Sequence, residues 1–175
     1  SEREEAERAS DETRGLVSWA DDEQADGGTT TGAWTFVGEA EGAPVRSGSN
    51  SRRQEGAGIV QHYFLGASRP VYLSSDDLFY AWVYLDTENP PEEIMLQFHV
   101  AGHGNWEHRV KWGADKIPWG GGANADVDAH RQKGDLPAKG EWVRLVVDPS
   151  EVGLGPGYAV DGMAFTQFGG LAHWD

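Results

Sequence analysis

Leu78-Phe79-Tyr80-Ala81-Trp82-Val83-Tyr84-Leu85-Asp86, the turn Asn89-Pro90-Pro91, and Ile94-Met95-Leu96-Gln97-Phe98-His99-Val100 decide the fold. Side chains on a β-strand alternate between two faces. In the first run Phe79, Ala81, Val83 and Leu85 share one face, and Leu78, Tyr80, Trp82 and Tyr84 the other. In the second, Ile94, Leu96, Phe98 and Val100 share one face, and Met95, Gln97 and His99 the other. The purely apolar set of each strand belongs in a core. The aromatic and polar sets fit a surface that water or a ligand reaches, and the reading places them together on one sheet face.

Further strands are expected on either side. They are Leu16–Ala20, Trp34–Val37, Ile59–Leu65, Pro70–Leu73, Trp106–Trp112, Trp142–Val147, Val160–Phe165 and Ala172–Asp175. The acidic stretch 21–32, the polar stretch 39–58 and the Gly-rich stretch 113–140 read as loops. Strands without intervening helices, with Gly 24 and Pro 8 in 175 residues, predict an all-β fold: an antiparallel β-sandwich of one domain. Residues 1–15 are almost all charged or small and are expected to be a flexible tail or linker. Residues 16–175 are expected to be the sandwich domain.

Composition excludes several function classes. A formal net charge of −15 repels phosphate backbones, so no nucleic-acid partner is expected. No run approaches the ~18 apolar residues of a membrane span. With Cys 0, thiolate and disulfide chemistry are absent. The hydrolase elbow Gly-x-Ser-x-Gly and the phosphate-binding P-loop are absent too. His99, His103 and His108 lie close in sequence but lack the fitted spacing of a zinc site.

Sugar binding needs flat rings to stack on a pyranose and planar polar groups for its hydroxyls. Tyr80, Trp82 and Tyr84 supply rings, and Gln97 and His99 supply polar groups. Arg109 and Lys111 favour an anionic glycan, such as a uronate or sulfated polymer. If the strand after Trp106 slips by one residue, His108 replaces Arg109 at the site. Trp119, in the long loop, is a further ring.

The second half resembles a module of large secreted or surface proteins of planctomycetes and other environmental bacteria. The matching residues are Leu78–Asp86, Asn89-Pro90-Pro91, Ile94–Gln97, Trp106-Glu107-His108-Arg109 with Trp112-Gly113, Leu136-Pro137, Gly140–Leu145, Val152-Gly153-Leu154 and Gly162–Thr166. The early Trp19-Ala20-Asp21-Asp22 matches as well. The layout is also similar to jelly-roll carbohydrate-binding modules of the galactose-binding-like fold. These resemblances imply a non-catalytic domain, extracellular or at the cell surface, tethered to other domains and binding a polysaccharide. They also imply that first and last strands lie side by side, so that Asp21, Asp22 and Asp175 meet at a structural Ca²⁺. Two alternatives stay open. One is a spacer or protein-interaction domain. The other is a jelly-roll polysaccharide lyase, since Gln97-Phe98-His99 resembles the Gln-x-His strand of alginate lyases, with Tyr80 or Tyr84 as acid. The Arg-x-Glu-x-Arg strand of those enzymes is missing.

Overall fold

The computed structural model describes residues 19–175 apart from 26, 33 and 123, so the charged segment 1–15 and residues 16–18 lie outside the described residues. The strands are β1 (Thr29–Gly32), β2 (Thr35–Gly38), β3 (Asn50–Glu55), β4 (Ile59–Leu65), β5 (Val71–Tyr72), β6 (Phe79–Leu85), β7 (Glu93–Val100), β8 (His108–Gly113), β9 (Arg131–Gly134), β10 (Trp142–Val147), β11 (Ala159–Phe168) and β12 (Leu171–Trp174). They form two sheets. The larger runs β1-β4-β11-β7-β8-β9, with β5 paired to one end of β11. The smaller runs β10-β6-β12-β3-β2. The chain passes back and forth between the sheets, which is the path of a jelly roll, and the expected β-sandwich is what it builds. All pairings between the named strands are antiparallel except β8 with β9.

The inward sets of β6 and β7 meet in the middle of the sandwich, as their alternation predicts. Phe79 stacks on Phe98 with centroids 4.3 Å apart. Val83, Leu85, Ile94, Leu96, Val110, Val147 and Trp174 are at most 1% exposed. Burying each such side chain contributes ~1.5–3 kcal/mol.

The segment Asn89-Pro90-Pro91 is not a hairpin turn. It carries the chain from the smaller sheet, where β6 sits, to the larger one, where β7 sits. Two strands that face each other across a core point their other faces in opposite directions. This crossover therefore separates the two outer sets that the sequence reading had joined.

Several segments read as loops are strands. β3 is Asn-Ser-Arg-Arg-Gln-Glu, with no apolar period to betray it. Its inward side chains are Arg52 and Gln54, both buried. Gln54 Nε2 donates to Gln167 Oε1 at 3.0 Å, and the Arg52 guanidinium lies 4.2 Å over the Phe165 ring. β1 and β9 are short, polar and mostly exposed at the two ends of their sheet, where little apolar surface is needed. The expected strand 16–20 is not seen where it is described: Trp19 and Ala20 lie in a bend, and the Trp19 ring meets Phe64 edge-on at 5.1 Å. That bend brings Asp21 onto Ser47 and Asp22 onto the amides of Ser49 and Asn50.

Candidate functional site

The outer face of the larger sheet gathers polar and aromatic groups from four strands. Register places Tyr63 of β4, Ala164 of β11, Gln97 of β7 and Arg109 of β8 in one row. At ~4.8 Å per strand the row spans about 14 Å. The next row holds Gln61, Thr166, Met95 and Lys111.

A continuous hydrogen-bond chain runs across these rows. Arg109 Nε donates to Gln97 Oε1 at 2.7 Å. Gln97 Nε2 donates to Thr166 Oγ1 at 2.8 Å and to Gln61 Oε1 at 3.1 Å. The Thr166 hydroxyl donates to Gln61 Oε1 at 3.0 Å. Arg109 also donates to Glu107 at 3.1 Å and to the Ala129 carbonyl at 3.3 Å. Each group is thus held in one orientation.

His99 lies one strand position beyond Gln97. A bulge in β11 between Val160 and Gly162 turns Asp161 onto this face, and its carboxylate accepts from His99 Nδ1 at 2.6 Å. That bond orients the ring and leaves Nε2 on the other side of it. The Trp106 ring lies 5.1 Å from His99 and 5.3 Å from Tyr63. Gly162 and Ala164, the small residues between those strands, leave room for it. A Cβ at Gly162 would sit 2.6 Å from the Phe64 carbonyl, so no larger residue fits there.

Trp119 closes the opposite end, with Arg109 5.9 Å from its ring centre. Its loop is pinned by fully buried His130, whose Nδ1 and Nε2 bond the Trp119 carbonyl at 2.6 Å and the Asp115 carboxylate at 2.7 Å. Desolvation would raise the Asp115 carboxyl, but the Asn124 amide, then the His130 hydrogen bond, hold it below its usual range.

Of the expected sugar-site residues, Gln97, His99, Arg109 and Trp119 share this face, and Lys111 lies on it with its charge buried. The Lys111 ammonium donates to the carbonyls of Gly113 and Ala114 at 3.0 and 2.7 Å. The phase of β8 puts Arg109, not His108, beside Gln97; His108 Nδ1 donates to the Val152 carbonyl instead. Gln97 and His99 are nearly buried rather than open, because Arg109, Gln61 and Thr166 close around the amide and Trp106 packs on the imidazole.

Tyr80, Trp82 and Tyr84 do not belong to this site. They lie on the outer face of the smaller sheet, with Trp142, Arg144 and His173 as cross-strand neighbours. The Arg46 guanidinium sits 4.0 Å over the Trp82 ring. Burial, then the Arg53 charge, pushes the His173 imidazole down to about 4.

Sequence reasoning missed Tyr63, Gln61, Trp106, Asp161 and Thr166. Tyr63 and Gln61 were detectable as the outward set of the Ile59–Leu65 strand. What places them beside Gln97 is the long-range register of β4, β11 and β7, which no local pattern carries.

The three acids expected at a calcium ion meet only in part. The Ser47 hydroxyl bonds Asp21 Oδ1 and Asp175 Oδ1, each at 3.0 Å, while Asp22 is taken by the Ser49 and Asn50 amides. Among the described residues no group of three His, Asp or Glu side chains can hold a metal. Two carboxylates and a hydroxyl fall short of the six to eight oxygens that calcium takes, so the described side chains do not fit the ion. A melting midpoint unchanged by chelator is therefore expected. A drop of several degrees, restored by calcium, would show that further oxygens complete a site.

No family model matches the chain, nor does any curated protein. Among solved structures it is similar to the glycoside hydrolase domain of Endo-D from Streptococcus pneumoniae R6. The identity is 12% and the TM-score 0.43, over 83% of this chain and 20% of that one. The chain thus spans about a fifth of that protein's length, and a likeness this loose bears on neither activity nor ligand. No helix among the described residues is long and apolar enough to cross a membrane.

Proposed function

We propose that this chain is a non-catalytic carbohydrate-binding domain of a larger extracellular or cell-surface protein, and that it binds a polysaccharide on the outer face of its larger sheet. One observation carries this reading: the Gln61–Thr166–Gln97–Arg109 hydrogen-bond chain runs between aromatic rings, with Tyr63 and Trp106 on one side and Trp119 on the other. The part-exposed Gln61 amide matches sugar hydroxyls, the buried Gln97, Thr166 and Arg109 hold it in place, and half-buried rings offer apolar faces to the sugar ring. The acids nearest the row are engaged, Asp161 with His99 and Glu107 with Arg109, which supports binding over hydrolysis by a facing carboxylate pair.

Affinity electrophoresis against a polysaccharide panel tests the reading. Trp106→Ala is expected to weaken retardation at least ~10-fold, the loss of about 1.4 kcal/mol. Trp82→Ala, on the opposite face, is expected to leave it unchanged. The reverse pattern would move the site to the smaller sheet, and a panel in which nothing is retarded would remove the proposal.

A lyase is the second reading, favoured by Gln97, His99, Arg109 and Tyr63 lying on one face. Tyr63 takes the place that the sequence reading offered to Tyr80 or Tyr84, both on the other sheet. Ultraviolet absorbance of unsaturated uronate products tests it, and a flat trace on several uronates removes it.

A further inference from the structure

The charge balance of this face deepens the carbohydrate reading and rests on it. We infer that the ligand is an uncharged glycan, not the anionic polymer that Arg109 and Lys111 invite when read from sequence.

Each cationic group here already has its acid. Lys111, with a side chain 2% exposed, points its ammonium at two backbone carbonyls and lies 4.0 Å from Asp115. Arg109 pairs with Glu107. Outside the row, Lys116 pairs with Glu92, Arg131 with Asp126 and Asp128, and Lys133 with Glu151. Among the described residues of this face no unmatched positive field remains to draw a polyanion against a chain of net charge −15.

Geometry points the same way. A guanidinium recognises a carboxylate or sulfate best through two parallel N–H bonds. The Nε of Arg109 is taken by Gln97 at 2.7 Å, and its Nη1 by Glu107 and the Ala129 carbonyl. An anion could use the Nε edge only by breaking the bond that orients Gln97. The middle of the two rows is neutral: the Gln97 amide and the Thr166 hydroxyl are buried with their bonds made within the chain, and the Gln61 amide is part exposed. An amide matches sugar hydroxyls, which both donate and accept.

The experiment is affinity electrophoresis and calorimetry of the 175-residue chain with neutral polymers (mannan, xylan, mixed-linkage glucan), uronates (alginate, polygalacturonate) and sulfated polymers (carrageenan). We expect binding within the neutral group only, with affinity changing less than about twofold between ~0.02 and ~0.3 M salt. Glu107→Gln, which removes the exposed acid beside Arg109, should raise retardation on uronates about threefold at low salt, and salt should abolish the gain.

Wild-type binding to a uronate or sulfated polymer that weakens steeply with salt and is lost in Arg109→Ala would overturn the assignment while keeping the site. So would a Glu107→Gln protein that gains nothing on uronates. If neutral polymers bind but Trp106→Ala leaves them bound, the site itself is wrong. If no polymer is retarded, site and assignment fall together.

Discussion

Arg52→Ala is expected to lower the unfolding free energy by ~3–5 kcal/mol, whereas Arg52→Met should stay within about 1 kcal/mol of wild type. Arg52 is 1% exposed in the middle of the sandwich. Its guanidinium lies 4.2 Å over Phe165 and 5.5 Å from Trp34, and Nη1 is 3.5 Å from His62 Nε2. Its Nε has no hydrogen-bond partner, and no carboxylate of a described residue pairs with it. Burial pushes its pKa down to about 10, against the fields of Asp175 and Asp21 that hold it charged.

The side chain therefore acts mainly as a long filler stacked on two rings, with a charge that is costly to desolvate. Alanine removes the filler and leaves a void. Methionine keeps most of the volume, packs its sulfur against the rings and removes the desolvation cost. Urea unfolding at pH 7, with the slope checked for two-state behaviour, measures both. An alanine variant within 1 kcal/mol of wild type would show that the site collapses freely. A methionine variant as weak as alanine would show that the charge itself is required.

The second large effect is a pH dependence. Burial, then a hydrogen bond with the Asp21 carboxyl, pushes Asp175 up to about 7, while the amides of Ser47 and Arg46 oppose the rise. The folded state keeps this proton between pH ~4 and ~7, where the unfolded chain has released it. This group's contribution therefore falls as pH rises through that window, by up to ~1.4 kcal/mol per unit and on the order of 3–4 kcal/mol in all.

Two buried histidines run the other way. Burial depresses His62 far below 6.5 and His173 to about 4. The unfolded chain binds protons there that the folded chain refuses, so their contribution is lost as pH falls below ~6.5. Wild type alone mixes the two signs. The difference between wild type and Asp175→Asn isolates the carboxyl: wild type should lose ground to the variant steadily from pH 4 to 7. Parallel curves would mean that no proton is held at the Asp21–Asp175 pair.

The strands richest in alternating apolar residues were legible in detail. The reading of Ile59–Leu65 and Trp142–Val147 coincides with β4 and β10, and the inward sets of β6 and β7 form the centre of the core. β3 was illegible because its inward residues are Arg52 and Gln54. A polar side chain enters a core only where partners such as His62, Gln167 and Phe165 await it, and Gln167 and Phe165 are distant in sequence. The candidate site was half legible. Gln97, His99, Arg109 and Trp119 were named from local pattern. Tyr63 and Trp106 were not, and Tyr80, Trp82 and Tyr84, read as sharing a face with Gln97, lie on the opposite surface.

Local alternation alone determined that this chain makes a sandwich, and which side of its best strands is dry. A period of two is written in consecutive residues and needs no partner to be read. Which strands lie together was decided only in three dimensions. Alternation says that a residue points outward, but not from which sheet. The crossover between β6 and β7 sends their outward residues to opposite surfaces, and pairing over a hundred residues of sequence brings Gln61 to Thr166.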